Sequence, residues 1–526
     1  MGDAGGATYW QRCKIHLKRL LRSGFVVLIS FALYLKYNLT MSVFDIDIVY
    51  VIALIGVVCV SMVIVFVKSD DRAIPDPEQK IDSSNVFILE TEKCKIKFSD
   101  PFDNFLIYGG ANSGKTKSIG KPLLSNYIRA NFAGFIYDYK DYDLTRTVNY
   151  LARLYNYPYK VYNISFTDMG RTKRFNPLKP SVIKDEVLLI QLVDDMLTSY
   201  MGDTKRDEWF NGGLGIIKGI AYNLFSLYPQ YCTIPHLVNL ATSANSEQLE
   251  AFLKKTDESR QLASAYLNAP EKAQASYFSS MVNPISSLAF DKKISYVLSG
   301  NDFDFDLLNP KDPKLITVSS SIKVDRHVSP IIALLLTISS RAFSLNNTIP
   351  FVYFLDEATT FKIPDFEKLP SVLREYKCSF TFLTQSGAKI EKLYSKLDRS
   401  SIEANFGNIF YGRTKDVEAL KYYPFIFGKN EVKKKSRTTG HSSHSSSTSQ
   451  TVSTQKEDKY TTNFFTGLKS GEFLLSGAHC NKKEFYGRFR MYNEQEDVRF
   501  DESVVIDLDI ERAHRKVTNE VLSILS

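Results

Sequence analysis

A glycine-rich segment followed by a lysine and a threonine is the clearest candidate for chemistry in this chain. It fits the pattern G-x-x-x-x-G-K-[ST] and consists of Gly109, Gly110, Ala111, Asn112, Ser113, Gly114, Lys115 and Thr116. In loops of this type the backbone N–H groups surround the phosphates of a nucleotide, the lysine contacts the β- and γ-oxygens, and the hydroxyl holds Mg²⁺. We therefore predict that this loop binds a nucleoside triphosphate and that Thr116 is a metal ligand.

The segments on either side of the loop favour this interpretation over a chance glycine turn. Residues 104–108 are mostly apolar and strand-like, and residues 117–128 can form a helix. The phosphates would then lie at a helix N-terminus, where free N–H groups and the helix dipole favour an anion.

Two adjacent carboxylates complete the candidate site. Asp356 and Glu357 follow the apolar run 350–355. Asp356 can fix Mg²⁺ through water, and Glu357 can orient and polarise the water that attacks the γ-phosphate. Two acids after an apolar strand also occur by chance, but the glycine-rich loop on the same chain favours the catalytic interpretation.

Gln385 and Arg374 are further candidates for catalysis. Gln385 lies at the end of the strand-like run 380–386, where its amide could contact the γ-phosphate or the attacking water, although an amide at a strand end is otherwise unremarkable. Arg374 lies on a predicted helix at 369–376. In a ring it could reach the nucleotide of a neighbouring subunit and stabilise transition-state charge. A surface salt bridge is the alternative.

The order of the predicted elements favours an α/β fold with a parallel sheet. Strand-like runs at 104–108, 132–140 and 159–164 alternate with helical segments, which is the pattern of right-handed crossovers. Ligands in such sheets bind at the carboxyl ends of the strands. Asp138 and Lys140 stand at such an end, either beside the nucleotide or in a plain turn ion pair.

Composition divides the cytosolic part of the chain into segments. Residues 183–300 have helical spacing and few strand signals, so we predict an all-α domain set into a nucleotide-binding domain formed by 70–182 and 301–526. Residues 429–459 are rich in lysine and serine, cannot bury a core and are predicted to be a mobile loop.

The formal charge of +8 is compatible with nucleic acid or an anionic membrane and proves neither. The six cysteines lack C-x-x-C spacing and predict free thiols with no metal site.

Residues 1–69 are predicted to form a transmembrane hairpin with spans at about 20–39 and 47–67. The segment 49–67 has no charge and is long enough to cross a bilayer, whereas the first span is weaker. Basic residues precede the first span and acidic residues lie in the connecting loop. The positive-inside rule therefore places both termini in the cytoplasm.

Taken together, these motifs resemble those of the TraG/TraD-like coupling proteins of type IV secretion systems, the membrane-anchored ATPases of conjugation. The resemblance covers most of the chain and is carried, in order, by the two-span anchor, the glycine-rich loop, residues 136–140, 174–178, 207–210, 354–358, 366–370 and 384–386, and the serine-rich segment. Asn112 stands where the family often has glycine, and Tyr139 where it often has proline.

The resemblance implies a RecA-like P-loop motor with an all-helical cap, assembled as a homo-hexamer in the bacterial inner membrane and docked on a secretion channel. Such proteins recruit relaxase-bound DNA, or protein effectors, and drive their transfer with ATP and Mg²⁺. The roles it implies are phosphate binding by Lys115, metal binding by Thr116 and Asp356, water activation by Glu357, γ-phosphate sensing by Gln385 and a trans-acting finger at Arg374.

Other classes of protein fit the sequence less well. An FtsK/HerA-like DNA-translocating motor has a similar core, but the FtsK type usually has more spans and a DNA-reading C-terminal domain. A receptor for protein cargo alone stays open. A membrane-bound AAA protease needs H-E-x-x-H, which none of the seven histidines provides. An ABC-type ATPase needs its signature sequence shortly before the acidic pair, and the sequence does not have it there. A non-hydrolysing adaptor would have lost Lys115 or Glu357, and both are present.

Overall fold

A computed structural model describes residues 86–201, 207–442, 445–494 and 507–526. The two predicted membrane spans lie outside these ranges. Within them, no helix is both long enough and apolar enough to cross a bilayer.

The strands alternate with helices along most of the described chain. The strands are β1 (Phe87–Glu90), β2 (Lys95–Phe98), β3 (Phe105–Tyr108), β4 (Ala133–Asp138), β5 (Lys160–Ser165), β6 (Lys314–Ser319), β7 (Phe351–Leu355), β8 (Cys378–Thr384), β9 (Asn408–Tyr411), β10 (Lys429–Ser442), β11 (Ser445–Asp458), β12 (Glu472–Gly477) and β13 (Glu484–Arg488). The α-helices are α1 (Lys121–Arg129), α2 (Asp143–Leu154), α3 (Pro180–Ile183), α4 (Glu186–Met201), α5 (Glu208–Leu227), α6 (Ile234–Ser243), α7 (Ser246–Leu253), α8 (Asp257–Leu262), α9 (Ser264–Leu267), α10 (Glu271–Phe290), α11 (Lys292–Leu298), α12 (Asp325–Arg341), α13 (Leu369–Arg374), α14 (Gly387–Leu393), α15 (Lys396–Ala404), α16 (Val417–Phe427), α17 (Thr462–Gly467) and α18 (Asp507–Leu525).

Nine of these strands form one sheet in the order β13-β12-β9-β3-β8-β7-β4-β6-β5. The seven strands from β9 to β5 run parallel, as the strand and helix pattern predicts. β12 pairs antiparallel with both β9 and β13, so the sheet is mixed where these outer strands join it.

The central strands are buried on both faces, as a parallel sheet covered by crossover helices requires. In β3, Leu106 and Tyr108 belong to one apolar cluster, while Phe105 and Ile107 belong to a second. Because side chains alternate along a strand, these two clusters lie on opposite faces of the sheet. The packing on both faces fixes the strand ends that carry the candidate site.

Only helical elements occur between β5 and β6 among the residues that the structure describes there, from α3 to α11. This matches the helical spacing of the sequence at 183–300. The described residues all belong to one compact unit. The boundaries between an all-α domain and a nucleotide-binding domain therefore stay a prediction.

The structure differs from the prediction of a loop at 429–459. β10 and β11 form an antiparallel hairpin whose register runs from Lys429 opposite Asp458 to Ser442 opposite Ser445. The polar composition correctly indicates the lack of a core, since the described side chains of this hairpin are exposed. Composition does not show whether backbone groups pair in a ladder, however, and threonine and valine suit a strand. The predicted mobility stays a prediction.

Candidate nucleotide-binding site

Four adjacent strands, β3, β8, β7 and β4, bring the predicted site residues other than Arg374 to one edge of the sheet. The glycine-rich loop follows β3 and Gln385 follows β8, whereas Asp356 and Glu357 follow β7. Lys140 lies two residues beyond β4. Because the four strands are parallel, their carboxyl ends meet at this edge, which is where such sheets bind ligands.

The backbone of the glycine-rich loop requires left-handed conformations at two positions. Gly114 has φ = +87° and Asn112 has φ = +58°. Asparagine is among the few residues that tolerate this region, which explains how Asn112 can replace a glycine. A β-carbon at Gly114 would also lie 2.8 Å from the backbone nitrogen of Gly471, so this position has room for glycine alone.

Neighbouring strands hold the loop in place. The Gly109 N–H donates to the carbonyl of Thr384 over 3.2 Å, and the Gly110 N–H donates to the carbonyl of Arg413 over 2.9 Å. The Arg413 guanidinium in turn donates to the carbonyl of Ala111 over 3.3 Å. The sequence does not single out Arg413, whose one signal is its position two residues beyond the apolar residues 409–411.

Lys115 and Glu357 form a buried ion pair. The Lys115 Nζ lies 2.6 Å from Oε1 of Glu357, and the two side chains are 8% and 9% exposed. Burial alone would raise the pKa of Glu357, but the charge and hydrogen bond of Lys115, together with the charges of Lys389 and Lys140, outweigh it and lower the pKa. Glu357 is therefore a carboxylate at neutral pH. Its backbone has φ = +47°, a costly conformation that is common at functional sites.

Thr116 and Asp356 place two oxygens together, as a Mg²⁺ site requires. The Thr116 Oγ1 donates to Oδ1 of Asp356 over 3.4 Å. The Lys140 ammonium contacts both residues, at 3.1 Å from Thr116 Oγ1 and 3.2 Å from Asp356 Oδ2. Burial raises the pKa of Asp356 despite the opposing charges of Lys140 and Lys115. The Thr116 hydroxyl and the Asp356 carboxylate thus already contact one positive charge, the Lys140 ammonium. Both groups supply oxygen ligands of the kind that Mg²⁺ prefers.

Gln385 also lies within this group of residues. Its Nε2 donates to Oε2 of Glu357 over 3.4 Å. The amide thus contacts the carboxylate that is predicted to activate water, and it stands where it can orient the same water.

Asp138 and Lys140 have separate roles in this structure. Lys140 joins the candidate site, whereas Asp138 is buried and caps the start of α2. Its Oδ2 accepts hydrogen bonds from the backbone N–H and the hydroxyl of Thr145, both over 2.9 Å. Burial raises the pKa of Asp138 to about 6, although these hydrogen bonds oppose the shift.

Arg374 lies away from the candidate site of its own chain. Its guanidinium binds Oδ2 of Asp100 at 2.9 Å and Oδ1 of Asp103 at 2.6 Å. It precedes the amino end of β8, whereas Gln385 follows the carboxyl end of that strand. Seven residues at about 3.3 Å each separate the two ends by roughly 20 Å. Within its own chain, Arg374 therefore pairs with the partly exposed Asp100 and the buried Asp103 and does not reach the candidate site.

Comparison with known proteins assigns the chain to a family. Residues 78–459 match the family described as "Type IV secretory system Conjugative DNA transfer", which is well over half of the chain. The chain belongs to this family. The resemblance to the TraG/TraD-like coupling proteins is thereby confirmed for this conjugative DNA-transfer protein.

Solved structures with a similar fold include the bacterial conjugative coupling protein TrwBΔN70 in an unbound monoclinic form. It has a TM-score of 0.61 at 14% sequence identity, with 77% of this chain and 89% of that chain covered. TrwB in complex with ADP and Mg²⁺ has a TM-score of 0.59 at 14% identity, with 77% and 88% covered. No curated protein matches the sequence. The similarity confirms the mixed α/β fold with a large parallel sheet.

Proposed function

We propose that this member of the conjugative DNA-transfer family is a P-loop ATPase whose hydrolysis of ATP drives DNA into a type IV secretion channel. The observation that carries the proposal is the convergence of Lys115, Thr116, Asp356, Glu357 and Gln385 at one edge of the sheet, from three separate strand ends. TrwB, which has the same fold, has been solved with ADP and Mg²⁺, and this supports the same ligands here.

Each side chain has a task that its surroundings support. Glu357 is ionised and can accept a proton from water, and Gln385 beside it can orient that water. Lys115 would exchange its contact with Glu357 for the phosphate oxygens. Thr116 and Asp356 would hold Mg²⁺, which neutralises charge that develops on the phosphates when bound.

We further propose that Arg374 serves a neighbouring subunit of a homo-hexamer. Its distance from the site of its own chain and its exposure of 44% are compatible with a trans-acting role, and Asp100 and Asp103 would hold its guanidinium in position. Mixing Arg374→Ala chains with Lys115→Ala chains tests this role. Each variant alone should be inactive, and the mixture should recover ATPase activity, because intact sites then form between unlike subunits. A mixture that stays inactive would exclude the trans role.

The membrane anchor, the domain division and the partners belong to the same proposal. Residues 1–69 would form a two-span anchor in the inner membrane with both termini in the cytoplasm, and residues 183–300 would form an all-α cap on the RecA-like domain. The partners would be relaxase-bound DNA, channel proteins and, for some cargo, effector proteins. Membership of a conjugative DNA-transfer family supports DNA and the channel among them.

Transfer of DNA between cells tests the proposed function. In donor cells that lack the gene, the wild-type chain should restore transfer to recipients, and Glu357→Gln at the same abundance should not. Transfer that persists without the gene, or with Glu357→Gln, would contradict the proposal. An FtsK/HerA-like motor would leave transfer intact and disturb DNA movement within the cell, whereas a receptor for protein cargo alone would affect only protein export.

A further inference from the structure

The hairpin β10–β11 carries its positive charges unequally on its two faces. Because side chains alternate along a strand, Lys433, Lys435 and Arg437 lie on one face. The residues directly opposite them on β11 are uncharged, namely Thr454, Val452 and Gln450. All six are exposed. We call Lys433, Lys435 and Arg437 the basic row.

The remaining basic residues of the hairpin stand opposite or beside acidic ones. Lys434, on the other face, forms an ion pair with Glu457 at 2.5 Å. Lys429 lies 3.8 Å from Asp458 at the base of the hairpin, and Lys456 stands opposite Glu431 in the register. The uncompensated positive charge is therefore confined to one face and to the middle of the ribbon.

The hairpin also lacks a packed core that would stabilise it on its own. A two-stranded ribbon without a core is at best marginally stable in water, and a row of like charges lowers its stability further. A partner that lies along the basic row and carries regular negative charge would offset both effects. The backbone of a nucleic acid has one phosphate per nucleotide and attracts such a row through counterion release.

We propose that the basic row is a binding surface for the phosphate backbone of nucleic acid. This inference rests on the proposed function and adds a contact site outside the nucleotide-binding edge. Residues 429–440 and 445–458 contain no tryptophan, tyrosine, phenylalanine or histidine, so the parts of the two strands around the basic row offer no aromatic ring on which bases could stack. The contact is therefore independent of base sequence. The neighbouring serine and threonine hydroxyls can add hydrogen bonds to phosphate oxygens.

Binding of the full-length protein to labelled DNA across a range of salt concentrations tests the proposal. The variant Lys433→Ser/Lys435→Ser/Arg437→Ser should bind at least about tenfold more weakly in low salt, and the slope of log affinity against log salt should fall by about 2 to 3. Single-stranded and double-stranded DNA of several sequences are measured separately, since both present the same phosphates. The variant Lys433→Arg/Lys435→Arg should bind like the wild type.

A matched control removes the same charge from the paired positions. The variant Lys429→Ser/Lys434→Ser/Lys456→Ser should keep most of the affinity and salt slope, because these lysines already face acids. Both triple variants should keep the basal ATPase rate, which reports that the chain is folded.

The outcomes separate this inference from the proposed function. Equal losses in the two triple variants would overturn the basic row as a site and indicate a general charge effect. Unchanged DNA binding with reduced binding to vesicles containing anionic lipid would overturn it in favour of a membrane contact. DNA binding that is the same in the wild type and in Lys433→Ser/Lys435→Ser/Arg437→Ser would overturn only this inference. Wild-type protein that binds no DNA would overturn the proposed function as well.

Discussion

The Lys115 ammonium lies 2.6 Å from Oε1 of Glu357 in an almost wholly buried ion pair. The residue that would bind phosphate is thus paired with the residue that would activate water. While the pair is intact, Lys115 is not free to bind phosphate, and one oxygen of Glu357 is occupied. The incoming phosphate must therefore compete with Glu357 for Lys115 before hydrolysis can begin.

This competition predicts that Glu357→Gln binds ATP more tightly than the wild type. Removing the carboxylate charge frees Lys115, and a gain of about 1 kcal/mol corresponds to roughly fivefold in affinity. Lys115→Ala should instead weaken binding at least about tenfold. Titration with a non-hydrolysable ATP analogue and Mg²⁺ measures both. Unchanged or weaker binding by Glu357→Gln would show that the pair does not compete with the nucleotide.

Lys140 is predicted to compete with Mg²⁺, since its ammonium contacts both Thr116 and Asp356. In Lys140→Met the Mg²⁺ concentration that gives half-maximal nucleotide binding should fall severalfold. Asp356→Asn should raise it, because a metal ligand is lost. A Mg²⁺ requirement that rises in Lys140→Met would mean that Lys140 assists nucleotide binding and does not oppose the metal.

The sequence predicts the site because its chemistry is local to strand ends. Lys115, Asp356 and Gln385 each follow an apolar run, and parallel strands bring such ends together. Arg413 could not be predicted in the same way, because the pairing of β9 beside β3 joins segments about 300 residues apart. The partner Asp100 of Arg374 is likewise 274 residues away.

The hairpin β10–β11 illustrates a different limit of sequence reasoning. Serine and lysine content reports that residues 429–459 cannot form a core, but it does not report whether the backbone pairs. Register depends on which residues stand opposite one another. The separation of Lys434 from Lys433 and Lys435 by face therefore appears only in the structure.

Asp138 should make the stability of the protein depend on pH between about 4 and 6. Burial raises its pKa to about 6, whereas an unfolded aspartate titrates near its ordinary value. The folded chain holds this proton where the unfolded chain has lost it, so the stabilising contribution is full below about pH 4 and is lost as the pH rises to 6. The loss is roughly 3 kcal/mol.

Melting temperatures of the wild type and Asp138→Asn from pH 4 to 7 measure this effect. The wild type should lose stability relative to the variant as the pH rises through this window, and the difference should level off above pH 6. A difference that does not vary with pH would contradict the assignment. The constant offset between the two proteins reports only the altered hydrogen bonds to Thr145.

Arg399 and Glu403 form a second buried ion pair, between the candidate site and α16. The Arg399 Nε lies 2.8 Å from Oε1 of Glu403, which also accepts a hydrogen bond from the Tyr108 hydroxyl over 2.5 Å. Arg399→Met would leave the carboxylate buried without this cation. We expect it to lower the free energy of unfolding by about 3 to 5 kcal/mol.

Urea unfolding of Arg399→Met and of Arg399→Met/Glu403→Leu measures the cost. The double variant should recover much of the stability, because it removes the carboxylate that was left without its partner. A single variant that loses less than about 1 kcal/mol, or a double variant that is no more stable than the single one, would contradict this account.

The rate of ATP hydrolysis by the full-length protein, with and without DNA and beside Glu357→Gln, tests whether this site is the motor. We expect slow basal hydrolysis that DNA raises severalfold, and a rate in Glu357→Gln that is lower by about 100-fold or more, because the general base is lost. Hydrolysis that is insensitive to Glu357→Gln, or no hydrolysis under either condition, would contradict the assignment of this site as the motor.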